Sequence, residues 1–219
     1  MNFLVFLGSV RNSAPPRPKR LGLRVATALS RQISSEGHDV TLIDPLEISR
    51  PASFKPHFAY PSGKAPESLQ KLAEQIETAD GYVMVSPEYN HSMSPALADL
   101  LNHFGSSLYS YKPSVIATYS AGQWGGARAA VNMRTFLSEL GCLPVSAMIH
   151  IPKAHEVLDD TGDFLGSVDG DQWAKYFGRA LSQLEWWAAA AENWRKKGEQ
   201  ITDAFLKNPS QRNAPAGQD

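Results

Sequence analysis

A short basic segment near the N-terminus has the residue types of an anion site. Between Ser9 and Leu21 the chain carries four cations, Arg11, Arg17, Lys19 and Arg20, and no acidic residue. A helical pattern opens at Arg20-Leu21-Gly22, and the N–H groups of a helix N-terminus bind phosphate well beside hydroxyls and arginines. The segment therefore predicts a phosphate site, and a solvated basic loop is the alternative.

Two later segments carry the residues of a flat binding surface. Ser86-Pro87-Glu88-Tyr89-Asn90 supplies a proline, an aromatic ring and an amide. The segment 120–126 contains three glycines, which let a planar ligand approach the backbone because no side chain intervenes. Trp124 could cover such a ligand. Each segment alone is also ordinary turn chemistry.

These segments follow apolar runs with the length of buried strands. The runs are Phe3–Leu7, Val40–Ile43, Gly81–Val85, Ser114–Tyr119 and Leu143–Ile151. Amphipathic patterns typical of helices lie between the runs, and a long helical pattern, Asp171–Lys197, follows the last one. Strand and helix alternate five times, which indicates an α/β fold with a five-stranded parallel sheet and helices on both faces.

The position of the three loops in such a sheet points to one ligand. Open parallel sheets bind ligands beyond the carboxyl ends of their strands. With strand order 2-1-3-4-5, the loops after the first, third and fourth strands would meet in one crevice. A phosphate site at one end and a planar ring at the other describe flavin mononucleotide (FMN). The motifs Gly-x-Gly-x-x-Gly and Gly-x4-Gly-Lys-Ser/Thr do not occur in the first loop, which argues against a dinucleotide fingerprint and a P-loop.

The same residues resemble a known family. Gly8-Ser9-Val10-Arg11, Arg20-Leu21-Gly22, Ser86-Pro87-Glu88-Tyr89-Asn90 and Ala121–Ala130 are similar to the NADPH-dependent FMN reductases, over most of residues 2–200. The resemblance implies a flavodoxin-like three-layer sandwich, bound FMN, NADPH or NADH as co-substrate, and a homodimer or homotetramer. It also implies that electrons pass to a small-molecule acceptor, namely a flavin, quinone, azo compound or metal oxyanion. Because nicotinamide and acceptor would be positioned in turn over one face of the flavin ring, we predict a ping-pong mechanism. No catalytic side chain is expected, because the hydride is accepted at N5 of FMN.

The resemblance assigns the cofactor-binding residues by position. The FMN phosphate would be held by the first loop and the start of its helix, through Ser9, Arg11, Arg20, Leu21 and Gly22. The flavin ring and ribityl chain would be lined by Pro87, Glu88, Tyr89 and Asn90. The pyrimidine side of the ring would be approached by Ser120, Gly122, Gly125 and Gly126.

One departure from the family pattern generates a further hypothesis. The family has a couple of residues between its first arginine and the Arg-hydrophobic-Gly segment, whereas eight residues, 12–19, lie between Arg11 and Arg20. We hypothesise that Arg17 or Lys19 binds the 2′-phosphate of NADPH, and that Trp124 lies on the nicotinamide and substrate side. A surface insertion without a binding role is the alternative.

Composition excludes several other classes of protein. The 219 residues carry a net charge of −1, so nothing in the bulk charge favours binding to nucleic acid or to an anionic membrane. The single cysteine, Cys142, excludes a disulfide framework and favours a reducing, cytoplasmic location. The spacing of the histidines predicts no metal site. We expect one domain over 1–207 and a disordered tail over 208–219.

Alternatives of a different class remain open at this point. A flavodoxin-like electron carrier, or a flavin-binding scaffold, would share the fold and bind FMN without a productive nicotinamide site. The near-neutral charge argues against the carrier, because such carriers tend to be strongly acidic. We interpret Glu88 as a capping or contact residue, and the tryptophans of the last helix as core or oligomer-interface residues.

Overall fold

The computed structural model describes residues 1–12 and 20–197. Arg17, Lys19 and the tail 208–219 lie outside the described residues, so the hypotheses on them stay predictions. The strands and helices, in chain order, are β1 Asn2–Leu7, α1 Leu21–Ser35, β2 Asp39–Ile43, α2 Glu67–Thr78, β3 Gly81–Pro87, α3 Pro95–Asn102, α4 Ser106–Tyr109, β4 Pro113–Tyr119, α5 Ala127–Glu139, β5 Leu143–Pro144, β6 Ile149–Ile151 and α6 Gly170–Lys196.

The strands form one parallel sheet in the order β2-β1-β3-β4-β5, with β6 also paired to β4. This confirms the predicted order 2-1-3-4-5. The order reverses between β1 and β3, which makes the crevice beyond their carboxyl ends the expected ligand site of an open α/β sheet.

The fifth predicted strand differs from the prediction, because the run 143–151 forms two short strands with an interruption at 145–148. Pro144 lacks the N–H that a continuous ladder needs. The interruption is held by side chains: Arg134 Nη2 donates to two of its carbonyl oxygens, and Ala147 N donates to Gln183 Oε1 at 3.0 Å. The two strands together occupy the position of the single strand that the apolar run predicts.

Two hydrophobic layers enclose the sheet, and alternate residues of β1 serve them. Phe3, Val5 and Leu7 pack with α1 and α6 on one face. Leu4 and Phe6 pack with α2, α3 and α5 on the other. Burial on both faces explains why the strands read as continuous apolar runs. Among the helices of the described residues, none combines the length and apolarity needed to cross a membrane.

Candidate functional site

The strand register brings the predicted loops to one place. Pro87 and Tyr119, the last residues of β3 and β4, lie side by side, and Tyr119 also pairs with Ile151 of β6. The loop after β1 is tied to β3 because Gly8 N donates to Val85 O at 2.7 Å. The segments that follow β1, β3, β4 and β6 therefore begin next to one another at the carboxyl edge of the sheet.

Gly8 makes the first loop's close approach to β3 possible. A Cβ atom at this position would lie 2.5 Å from Val85 O, a contact that no side chain tolerates without a backbone shift. The turn that follows places Ser9 almost wholly in the interior, 8% exposed, beside Tyr119. Ser9 is thus held in a fixed position between β1 and β4.

Arg20 joins the first loop to the end of β2. Its Nη2 donates to Ser9 O at 2.8 Å, and its two terminal nitrogens each donate to a carboxylate oxygen of Asp44 at 2.8 Å. The side chains of Arg20 and Asp44 are 12% and 11% exposed. Arg20 Nε is buried and has no hydrogen-bond partner among the described residues. Most of the N–H donors of this guanidinium are therefore bonded to protein atoms, although the sequence predicts that Arg20 holds phosphate.

The backbone of Arg20 is left-handed, with φ 47°, and its N–H donates to Arg11 O at 3.2 Å. α1 begins at the next residue, Leu21, and within residues 1–12 and 20–197 its first turn has neither a side-chain cap nor an acidic residue. An uncapped first turn presents N–H groups with the positive end of the helix dipole, which favours an anion.

Gly22 is required by the packing of Tyr119 against the start of α1. A Cβ atom on Gly22 would lie 2.2 Å from Tyr119 Oη. Burial raises the pKa of Tyr119, so its hydroxyl stays neutral and bonds to Ser9. This contact fixes the start of α1 relative to the end of β4.

The loop after β3 is a tight hairpin turn. Tyr89 and Ser92 exchange two backbone hydrogen bonds of 2.9 Å, and Asn90 and His91 between them both have positive φ, 49° and 62°. Two central residues with positive φ are typical of a type I′ turn, and asparagine tolerates that conformation better than most side chains. The turn leaves the Tyr89 ring 46% exposed at the rim of the crevice.

The side chain of Glu88 contacts the first turn of α5. Its carboxylate accepts from Arg128 Nε at 3.1 Å and from Ala129 N at 3.4 Å. Desolvation acts to raise the pKa of Glu88, but the hydrogen bonds from Arg128 and Ala129 outweigh it and lower the pKa. Glu88 is therefore an ionised side chain that caps the first turn of α5.

The loop after β4 is organised around Ser120. Its Oγ accepts from Gly125 N at 2.9 Å and donates to Gly122 O at 2.6 Å. Gly126 has φ 75°, a conformation that disfavours any other residue, and a Cβ there would lie 2.9 Å from Thr118 Cβ. Both the backbone conformation and the packing therefore require glycine. A Cβ at Gly122 would meet no atom of the described residues within 4 Å, which leaves open space beside its backbone.

Trp124 stands at the outer side of this loop with 65% of its surface exposed. The Arg128 guanidinium lies over the ring, 5.7 Å from its centroid. The loop is also bonded to the segment after β6, because Lys153 N donates to Gly122 O at 2.8 Å. Trp124 is thus an exposed aromatic side chain of the loop after β4.

Three residues of this site were not found from the sequence. Asp44 follows β2 directly, and its position at a strand end was the available signal. Tyr119 was treated as a strand residue only, although its hydroxyl explains the glycine at position 22. Arg128 carried no local signal, because its partner Glu88 is remote in sequence.

Comparison with known proteins identifies the family. The model of the family described as NADPH-dependent FMN reductase matches residues 1–156. The chain belongs to this family. An Escherichia coli quinone reductase is 41% identical over 75 residues, which are 33% of this chain and 40% of that protein. An NAD(P)H-dependent FMN reductase of Pseudomonas aeruginosa is 29% identical over 126 residues, covering 56% of this chain and 66% of its own length.

The solved structures agree on the fold of this family member. FerB of Paracoccus denitrificans, described as a flavoenzyme NAD(P)H:(acceptor) oxidoreductase, superposes with a TM-score of 0.66. The match is 20% identical in sequence and covers 85% of this chain and 96% of FerB. The likeness confirms the flavodoxin-like α/β fold. The chain spans only about 40% of the length of the quinone reductase that it matches.

Proposed function

We propose that this protein is an FMN-dependent NAD(P)H oxidoreductase that reduces a small-molecule acceptor. The observation that carries the proposal is the meeting, at one sheet edge, of an open glycine-rich loop and a helix N-terminus that no side chain of residues 1–12 and 20–197 caps. The helix N-terminus is suited to a phosphate and the loop to a planar ring. Family membership and the relatives named as FMN and quinone reductases support the same activity.

The phosphate end of the proposed site is built from α1 and the first loop. The N–H groups that open α1 at Leu21 and Gly22 would donate to the phosphate. Ser9 and Arg11 stand in the loop that faces them. Arg20 Nε, a buried donor without a partner in the described part of the chain, fits the need for one more charged donor. Arg20 would then act through this one nitrogen while Asp44 holds the rest of its guanidinium.

The ring end of the proposed site is built from the loops after β3 and β4. Pro87, Tyr89 and Asn90 would line one side of the flavin, and Tyr89 would shield it from water. Ser120, Gly122, Gly125 and Gly126 would lie along the pyrimidine side. The open space beside Gly122 fits a flat ring near the backbone.

FMN, when bound, supplies a ring nitrogen that accepts a hydride and can return electrons to an acceptor. The chain's contribution is then binding and orientation, and no acid or base side chain is needed. The contacts of Glu88 agree with this, because its ionised carboxylate already accepts hydrogen bonds from Arg128 and Ala129 at the start of α5. Trp124 and Tyr89 would exclude water at the mouth of the crevice.

We further propose that nicotinamide and acceptor use the same face of the crevice in turn, which produces ping-pong kinetics. The acceptor class is a flavin, quinone, azo compound or metal oxyanion. Arg17 or Lys19 would bind the 2′-phosphate of NADPH, so their replacement by alanine should weaken NADPH and spare NADH. Initial-rate lines that intersect would contradict the ping-pong mechanism. An unchanged cofactor preference in the Arg17 and Lys19 variants would contradict their binding to the 2′-phosphate.

The test of the activity is a turnover assay with FMN-loaded protein, NADPH and NADH, and a panel drawn from the four acceptor classes. We expect NADPH or NADH to be oxidised only when both FMN and an acceptor are present. A protein that takes up FMN but oxidises neither nicotinamide would be an electron carrier or scaffold instead. A protein that binds no FMN would contradict both.

We also propose that the chain forms a homodimer or homotetramer. Trp186, Trp187 and Trp194 of α6 are 63%, 41% and 51% exposed, which is unusual for side chains of this size. Burial in a subunit interface would remove this surface from water. Light scattering coupled to size-exclusion chromatography tests the proposal, and a mass of 24.0 kDa in solution would contradict it.

A further inference from the structure

A cluster of three potential metal ligands lies far from the crevice, at the opposite end of the sheet. A carboxylate oxygen of Glu36, a ring nitrogen of His38 and a carboxylate oxygen of Glu185 lie within 4.8 Å of one another. Glu36 and His38 flank the turn from α1 into β2, and Glu185 is on α6. We propose that these three side chains form a binding site for a divalent transition metal ion of the zinc type.

The turn between α1 and β2 positions the imidazole. Gly37 has φ 86° and its N–H donates to Ser34 O at 3.0 Å, which ends α1 and reverses the chain. The His38 ring then packs edge-on against Phe3, with centroids 5.3 Å apart and planes at 79°. The ring is therefore held by the core, and its Nε2 faces Glu185 Oε1 at 3.5 Å.

His38 Nε2 is a buried polar atom without a satisfied partner. The side chain is 11% exposed, and Nε2 makes no hydrogen bond to any residue that the structure describes. A ring nitrogen of an imidazole that carries no proton offers its lone pair to a metal ion. A metal ion would satisfy the nitrogen and both carboxylates at once.

The electrostatic setting also favours a cation. Glu36 is the C-cap residue of α1, so the negative end of that helix dipole adds to the two carboxylate charges. Glu185 is 47% exposed and Glu36 is exposed, which gives an ion access from solvent. These are the features of a site that loads after folding.

The donor set selects the class of metal. One imidazole and two carboxylates suit Zn²⁺, with water in the fourth position, and the imidazole makes Mg²⁺ a poor occupant. Tetrahedral bonds of about 2.0–2.1 Å place ligand atoms about 3.4 Å apart. The two carboxylates, being exposed, can close the remaining distance by rotamer changes while His38 stays fixed. The bound ion would connect α1 to α6 on one face of the sheet.

The test is a zinc titration of the full chain, free of any affinity tag, against a chromogenic zinc indicator. Thermal unfolding with and without Zn²⁺ is the second readout. We expect saturable binding and a rise in Tm for the wild type, because a ligand that binds only the folded state stabilises it. Affinity should fall roughly tenfold or more in His38→Ala and Glu185→Gln, and Mg²⁺ should give neither effect.

Glu192→Gln is the matched control, because it removes a carboxylate of the same helix outside the cluster. It should bind zinc as the wild type does. If His38→Ala does not fold, Glu36→Gln and Glu185→Gln decide the question, since both positions are exposed. Zinc binding that is absent, or that is unchanged in all three variants, would overturn the proposal.

Discussion

The ion pair between Arg20 and Asp44 should be one of the electrostatic contacts whose disruption destabilises this fold most. Asp44→Ala would leave the Arg20 guanidinium 12% exposed with no carboxylate beside it. Removal of one partner of a buried ion pair costs about 3–5 kcal/mol, because the remaining charge is no longer compensated. The substitution also removes the acceptor of the Leu46 N–H, which donates to Asp44 Oδ1 at 2.9 Å.

We therefore expect Asp44→Ala to lower the free energy of unfolding by about 3–5 kcal/mol. For a chain of this size that corresponds to a fall in Tm of roughly 6–20 °C. Urea unfolding of the FMN-free protein, followed by circular dichroism, gives the free energy, and differential scanning calorimetry gives the Tm.

The control is Glu156→Ala, which breaks the pair that Lys153 Nζ makes with Glu156 Oε2 at 3.3 Å, with both side chains 55% exposed. That change should cost less than about 1 kcal/mol. In the double variant Arg20→Leu/Asp44→Ala much of the loss should be recovered, because no unpaired charge remains. A cost below about 1 kcal/mol for Asp44→Ala, or equal costs for Asp44→Ala and Glu156→Ala, would refute the reasoning.

Four further predictions follow from buried or close-packed groups. Burial lowers the pKa of Lys112 to about 8 in the folded protein. Between that pH and the pKa of lysine in the unfolded chain, the unfolded state binds more protons than the folded state. The stability of wild type relative to Lys112→Met should therefore rise with pH in urea unfolding above pH 8. The pKa of Glu88 is lowered in the folded protein, so its contribution to the free energy of unfolding is present at neutral pH and is lost as the pH falls through that pKa. Glu88→Gln should lack this dependence on acid. Burial raises the pKa of Cys142 to about 12, so it should react with a thiol reagent at pH 8 only after unfolding, and rapid reaction in the native protein would contradict its burial. Gly22→Ala places a Cβ 2.2 Å from Tyr119 Oη and should lower the unfolding free energy by about 1–3 kcal/mol, whereas an unchanged urea midpoint would show that the ring can move.

The fold was predictable because the buried strands have apolar sequences that can be recognised without the structure. Both faces of the sheet are covered, so β1, β3 and β4 read as unbroken apolar runs, and the alternation with helices determines a parallel sheet. Pro144 was the one local signal that the fifth strand is interrupted, and the extent of the interruption was not predictable. It depends on Arg134 and Gln183, whose side chains reach the interrupted segment from α5 and α6.

The site was predictable at the level of loops and less so at the level of side chains. Strand ends locate the loops, and the glycines at 125 and 126 do have the positive φ that their position requires. The pairing of Arg20 with Asp44, and of Glu88 with Arg128, joins residues 24 and 40 positions apart. No local pattern encodes such contacts, so an arginine predicted to bind a ligand proved to be mostly bound by the protein.

The most direct test of the proposed function is anaerobic mixing of the FMN-loaded protein with a small excess of NADPH, followed by visible absorption. We predict that the yellow colour of the bound flavin bleaches in a single turnover, and that it returns when a quinone acceptor is added. A flavin that stays oxidised with both NADPH and NADH, yet bleaches with a chemical reductant, would contradict the proposed function and leave only a flavin-binding protein.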